Sequence, residues 1–403
     1  MKILFLSHRI PYPPNKGDKL RAFNILKHLS QSHEISLACM VENRQELNYL
    51  ADLKPYCPQI LCSYISAVSS KLNYVRFLFS AYPLTLAHFY SACFKRDLDD
   101  WLRENEYDLL YVYSAAMSQY VLEVDRIPKV LDLVDADCQK WLSYAEYAHF
   151  PMSLIYRLEG ERTRAYEKKV CQRFSACTLV SEVERQILKQ FLPAKNLYVV
   201  ANGITQQPYL DYRNKEKSEP NLIFVGGMFY FAYIDGILHF YRKAFGYIRK
   251  AFPQVKFYIV GADPAASIRK LNQDPNVCVT GYVEDVRSYL EKAMVYVVPL
   301  RMAPGIQNKI LEAMAMNIPV VSTSAALAGI EAEPGKDVLV ADDPREFAQA
   351  VIRLLEEPQL RQELTNNAQK LISEKYDWQK NLKVLDKIVG DLLTRPGKLT
   401  KPG

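Results

Sequence analysis

Two series of short apolar runs, separated by one polar stretch, constrain this chain most. The first series is KILFLS (2–7), EISLACM (34–40), ILCSYI (60–65), LLYVY (109–113), KVLDLVD (129–135), ACTLVS (176–181) and LYVVAN (197–202). Helical patterns such as DKLRAFNILKHLSQ and SEVERQILKQFL lie between them. The rhythm stops at QQPYLDYRNKEKSEP (206–220), which has the composition of a linker. It then restarts with NLIFVGG (221–227), VKFYIVG (255–261), VCVTG (277–281), MVYVVPL (294–300), IPVVSTS (318–324) and DVLVA (337–341). Strands that alternate with helices predict parallel sheets covered on both faces. The expected fold class is therefore α/β, two doubly wound Rossmann-like domains facing a cleft. The expected boundaries are 1–205, a linker at 206–220, 221–375, and a helix near 376–394 packing back toward the first domain, followed by a tail to 403. Open parallel sheets bind ligands outside the carboxyl ends of their strands, so the cleft is the expected site.

Composition narrows the classes. The chain has 403 residues, 49% apolar and 24% charged, which is globular and too long for one ordinary core. The start, MKILFLSHRIPYPP, breaks its apolar run at once with Arg9 and three prolines, unlike a signal peptide. No run approaches the roughly 18–20 apolar residues of a membrane span. The expected location is cytoplasmic, with peripheral contact at the inner face of the membrane compatible with a net charge of +6. The eight cysteines form no CxxC pair and the six histidines no HExxH, so no metal is expected. No basic stripe interleaved with stacking aromatics marks a nucleic-acid module. G-x-G-x-x-G, G-x-S-x-G and the P-loop are absent, so no dinucleotide cofactor is expected.

Chemistry concentrates in VVPLRMAPGIQNKILEAMAMNIPVVSTS (297–324), which reads as strand, loop, helix, turn and strand. Gly305 lets backbone approach a ligand closely. A helix over about 306–316 would aim amide groups and its positive dipole end at a diphosphate, with Arg301 and Lys309 adding full charges. Glu312 lies seven residues after Gly305, roughly 10 Å along a helix. That matches the span from a diphosphate to the far hydroxyls of its ribose. The alternative is a solvated Glu312 opposite a core of Ile310, Leu311, Met314 and Ala315.

This segment resembles the donor site of the family 4 (group 1) retaining GT-B glycosyltransferases. LEAMAMNIPVV stands where that family has glutamate, alanine, methionine, alanine and then glycine-x-proline-valine-valine, with Asn317 at the usual glycine. FVGGMFYFAYIDGILHFYRKAF, FYIVGADP, VTGYVEDVRSYLEKAMVYVVPL, LVSEVERQIL and VVANGI follow the family's order. GIQNKILEAMAM, HRIPYPPNKGDKLRAFNILKHLS and LDLVDADCQKW resemble most the sugar transferases of exosortase-type exopolysaccharide systems. The resemblance implies transfer from a nucleoside diphosphate sugar to a polysaccharide or polyprenyl-linked glycan acceptor, with retention. It implies that Glu312 binds the ribose and that Gly305, Ile306, Gln307, Asn308 and Lys309 hold the diphosphate and touch the sugar. Gly226 and Gly227 would flank the diphosphate, and Gly17 would face the donor from the first domain. Asp135 falls where many relatives carry a histidine near the reacting sugar. The chain departs from the pattern at Pro304, where the family has the first glutamate of E-x(7)-E. It also departs at Gly227 and about Ala232, where the family has an arginine and a lysine. Arg301, Lys309 and Arg9 are the candidate replacements. These losses keep a non-catalytic nucleotide-sugar-binding subunit open as an alternative, and the shared scaffold keeps a nucleotide-sugar 2-epimerase open.

Asp135-Ala136-Asp137 reads as an acceptor- or sugar-facing carboxylate at a strand end, as a helix cap before QKWLSYAEYA, or as a metal-holding D-x-D, which its place away from the donor helix disfavours. In the loop PYPPNKGDK (11–19), Asp18 is a candidate cap. Residues 71–103 and 157–173 are rich in aromatic and basic side chains; they read as a membrane-facing surface or as ordinary amphipathic helices.

Overall fold

The structure is a computed structural model and describes residues 1–66, 73–74, 76–77, 80–205, 219–303 and 305–394. Most of the linker stretch, 206–218, and Pro304 fall outside the described residues. Two parallel sheets form the frame. The first contains β1 (Lys2–Ser7), β2 (Glu34–Val41), β3 (Gln59–Tyr64), β4 (Leu109–Tyr113), β5 (Lys129–Val134), β6 (Ala176–Leu179) and β7 (Leu197–Val199), in the order β3-β2-β1-β4-β5-β6-β7. The second contains β8 (Asn221–Val225), β9 (Lys256–Val260), β10 (Val277–Gly281), β11 (Val295–Val298), β12 (Val320–Ser322) and β13 (Leu339–Val340), in the order β10-β9-β8-β11-β12-β13. Every pairing between these strands is parallel. Both faces of such a sheet are covered by helices, which is why every residue of β4 and β8 is buried and all but Asn221 are apolar.

The chain divides into two units, Met1–Ala201 with Asn381–Gly403, and Asn202–Lys380. The last described helix, Trp378–Thr394, starts in the second unit and continues in the first. In the first unit, helix Gly17–Leu29 is tied to β5 through a fully buried ion pair. Arg21 Nε donates to Asp132 Oδ2 at 2.9 Å and Nη2 to Oδ1 at 3.1 Å. Tyr111 donates to the same carboxylate, and Arg21 Nη1 donates to the Val200 carbonyl. Removing one partner of such a pair costs about 3–5 kcal/mol, because the other charge stays buried.

Each sheet reverses its winding once, between β1 and β4 in the first and between β8 and β11 in the second. A crevice opens at such a switch point beyond the carboxyl ends of the strands. In the first sheet that end carries Ser7, His8 and Tyr113; in the second it carries Gly226, Gly227 and the loop running on from Pro299.

Candidate active site

In the second unit the loop after β11 carries Arg301, Gly305, Ile306 and Gln307 into the helix Asn308–Ala315. That helix begins two residues later than the sequence pattern suggests. Gly305 takes φ +73°, so the chain turns at the one residue there without a side chain to oppose it. Gln307 precedes the helix and is buried; its side-chain amide donates to the Gly305 carbonyl at 3.4 Å and accepts from the Tyr233 hydroxyl at 3.1 Å. Asn308 accepts from the Asn202 amide at 3.0 Å. The loop is thus held from two sides by side chains distant in sequence.

At its other end the helix closes through a left-handed residue. Asn317 takes φ +56°, Ile318 N–H donates to the Ala313 carbonyl at 3.0 Å and Asn317 N–H to the Met314 carbonyl at 3.1 Å. This is a Schellman closure, and asparagine tolerates the left-handed position that glycine usually fills. The departure at Asn317 therefore preserves the backbone.

Within the helix Ile310, Leu311, Met314 and Ala315 are fully buried. Glu312 is not on a solvated face: its side chain is 14% exposed, and Lys309, 39% exposed, pairs with it at 2.8 Å and 3.0 Å. The phenol of Tyr296, inside β11, is pushed well above its usual range by burial and then by the Glu312 charge. Lys309 and Glu312, expected at the two ends of a nucleotide, thus neutralise each other. Arg301 is likewise engaged, with Nε donating to Asp235 Oδ2 at 2.8 Å from the helix Phe231–Phe240.

Gly226 and Gly227 follow β8, and aromatic rings occupy the space beside them. A Cβ on Gly226 would lie 2.5 Å from the Tyr233 ring, and one on Gly227 would lie 2.9 Å from Phe229 and 3.2 Å from Tyr230. Phe229 and Tyr230 are about half exposed and meet in a tilted contact at 4.3 Å; Tyr230 leads inward to Tyr233. Tyr233 therefore touches both Gly226 and Gln307 and joins the two expected donor segments. Ala232, where the family has its lysine, is buried. Sequence reasoning passed over Tyr233, Asn202 and Asp235; the aromatic run after Gly226-Gly227 was the available signal for the first.

In the first unit Gly17 opens the helix Gly17–Leu29, whose N-cap residue Lys16 makes no side-chain cap, while Asp18 Oδ1 accepts the first-turn N–H of Lys19 at 2.9 Å. Asp18 also receives Arg9 Nη1 at 2.8 Å and faces His8 Nε2 at 3.5 Å. Burial raises its carboxyl, yet His8 and Arg9 outweigh this and hold it well below the carboxylate range. Arg9 also binds Glu42. His8 is buried, stacks on Tyr113 at 5.7 Å, and keeps its Nδ1 unpartnered among the described residues. Neither His8 nor Asp18 had been singled out as chemical groups.

Asp135 lies just past β5 with Oδ1 buried and unpartnered among the described residues. Burial, then the charges of Glu184 and Asp137, push its carboxyl up to about 8. Asp137 stands in the first turn of helix Asp137–Tyr147 and binds Lys140, while Ala136 N–H donates to Glu184 at 2.6 Å. Asp135 does not cap that helix, whose first residues make no side-chain cap.

Residues 219–357 match the family described as glycosyl transferases group 1. The chain contains a group 1 glycosyltransferase domain. Its enzyme class is glycosyl transfer, and its architecture is GT-B. Sucrose-phosphate synthase from Thermosynechococcus elongatus aligns with a TM-score of 0.70 at 15% identity, over 98% of this chain and 99% of that one. Anabaena Alr3699/HepE, solved in complex with UDP and glucose, aligns with a TM-score of 0.67 at 17% identity, over 97% and 100%. An uncharacterized 44.6 kDa protein in the cps region of Klebsiella pneumoniae is 23% identical over 94% of this chain and 97% of its own length. The glycosyltransferase domain spans the whole Tyr233–Gln307–Glu312 cluster. The relative from a cps region agrees with the exopolysaccharide association that the resemblance implies.

Proposed function

We propose that the chain transfers a glycosyl group from a nucleoside diphosphate sugar to a polysaccharide or lipid-linked glycan acceptor, with retention. The observation that carries this reading is the Gly305–Glu312 segment, a positive-φ turn and a short helix at the switch point of the second sheet. The start of the helix Asn308–Ala315 offers amide groups and a positive dipole end to a diphosphate. Glu312, four residues on, lies about 6 Å further along the axis, within reach of ribose hydroxyls. Opening the Lys309–Glu312 pair would strand the largely buried Glu312 charge unless ligand hydroxyls replace the lysine, so the exchange is coupled to binding. Lys309 would then move to the phosphates and Glu312 would accept from the ribose. Tyr233 and Asn202 keep the loop ordered without ligand, so less ordering remains to be done on binding. Stabilising the departing diphosphate falls to the helix start and Lys309 in place of the family's basic pair. For Asp135 we propose a hydrogen-bonding role: at neutral pH the raised carboxyl stays protonated and donates to a ligand hydroxyl or ether oxygen at the end of the first sheet.

The UDP complexes of Anabaena Alr3699/HepE make UDP the first nucleotide to test. Thermal stability is measured with UDP, GDP, ADP and NAD on the wild type and on Glu312→Ala. A ligand at 100 times its Kd stabilises by about 2.7 kcal/mol. A shift with one nucleoside diphosphate that vanishes in Glu312→Ala supports the donor site and names the base. Equal shifts in both proteins remove Glu312 from it. Release of nucleoside diphosphate in the presence of acceptor separates transfer from mere binding.

A further inference from the structure

Helices Asp137–Tyr147 and Met152–Arg173 form a hairpin in the first unit. Trp141 stacks on Tyr156 at 5.7 Å, Tyr144 meets Tyr156 at 5.7 Å, and Gly160 lies against Leu142 so closely that a Cβ would sit 2.8 Å from it. The joint between the helices is therefore well packed, yet its tip is not covered. Phe150 is 82% exposed and Leu154 61%, and Met152, Ile155 and Leu158 are each more than two-fifths exposed. Soluble monomers rarely leave large side chains contiguous and bare in this way.

The charge on the same helix is one-sided. Exposed positions 154, 158, 161, 165, 168 and 172 recur every three or four residues and so share one face, with Leu154 and Leu158 at its start, Glu161 after them, and Lys168 beside Lys169 in its second half. Arg157 is exposed beside the apolar half. Of the three acidic residues of this helix, Glu159 and Glu167 are withdrawn and the exposed Glu161 is paired. Glu159 is buried, accepting from the Leu84 and Thr85 amides; Glu167 is buried near the Cys138 amide; Glu161 is tied to Arg164. Glu146, on the neighbouring helix, is exposed four residues before Phe150. Lys169 sits over the Tyr82 ring at 5.5 Å, so the two aromatic and basic stretches noted in the sequence meet here.

We propose that this hairpin tip docks on an anionic lipid surface, with Phe150, Met152, Leu154, Ile155 and Leu158 entering the interface and Arg157, Lys168 and Lys169 meeting headgroup phosphates. An apolar end joined to a basic face suits a membrane that supplies both hydrocarbon and negative charge. No described helix is long and apolar enough to cross a membrane, so this contact is interfacial. The inference goes beyond the donor reading and does not depend on it.

The test is co-sedimentation of the full chain with vesicles of phosphatidylcholine alone and of phosphatidylcholine with phosphatidylglycerol. The wild type should pellet with the anionic vesicles and be released by salt. Leu154→Asp with Leu158→Asp should lower partitioning about tenfold or more. Lys168→Glu with Lys169→Glu should weaken it and flatten its salt dependence. Circular dichroism melts confirm that the variants fold, and their nucleotide response, unchanged from the wild type, reports on the second unit separately. Wild-type protein that stays in the supernatant overturns the proposal, as does equal binding to both vesicle types. A concentration-dependent dimer, lost in the aspartate variant without vesicle binding, would show instead that a second copy covers the tip and would equally overturn it.

Discussion

Replacing Asp135 by asparagine should make the protein less sensitive to rising pH. The native carboxyl is pushed up to about 8 from an ordinary 3.8, by burial first and then by Glu184 and Asp137; Lys140 and Arg21 act the other way. Through that window the folded chain keeps a proton that the unfolded chain has released. Stability therefore falls as pH rises from about 4 to about 8, at about 1.4 kcal/mol per pH unit, and levels off above the folded pKa. Between about pH 5 and about pH 7 the loss is about 3 kcal/mol. For a unit of this size that corresponds to about 6–12 °C in Tm. Asparagine keeps the shape of the side chain and cannot titrate, so the variant should lack this decline. Glu167, also pushed up to about 8 by its burial, declines in the same direction in both proteins and cancels in the difference. The measurement is Tm by calorimetry across this pH range for both proteins. Parallel curves would show that Asp135 carries no extra proton in the folded state, and would remove the neutral donor proposed for it.

Three further substitutions probe the second unit. Gly226→Ala places a methyl 2.5 Å from the Tyr233 ring, so calorimetry should show a loss of about 1–3 kcal/mol together with a weaker nucleotide response; an unchanged protein would mean the ring moves freely. Asn317→Gly should change stability by less than about 1 kcal/mol, whereas Asn317→Val, forced to φ +56°, should cost about 1–2 kcal/mol in chemical denaturation; equal effects would contradict the left-handed closure. Lys309→Met should lower turnover about 10²–10³-fold, as loss of a charge on the leaving group would; full turnover by nucleotide release would place that charge elsewhere.

Much of the frame could be read directly. β1, β4 and β10 coincide with the runs 2–7, 109–113 and 277–281, and β4, buried at every residue, is apolar throughout because both of its faces are covered. The doubly wound class followed from the alternation of such runs with helices. The strand order did not, since it depends on which edges meet. The i,i+3 reach between Lys309 and Glu312 is local, and helical spacing implies it. The contacts that define the site are not local. Tyr233 and Gln307 are 74 residues apart, Arg301 and Asp235 are 66 apart, and Asp135 owes its raised pKa to burial and then to Glu184 from another element. The sequence by itself determined the strand–helix rhythm and the glycine turn and helix of the donor segment, because these rest on burial and backbone preference within a few residues. Only the tertiary structure decided that Arg301 and Arg9 are engaged by carboxylates, that aromatic rings fill the space beside Gly226 and Gly227, and that the tip at Phe150 is bare. Those outcomes depend on which surfaces and charges the chain brings together, and no local preference encodes that.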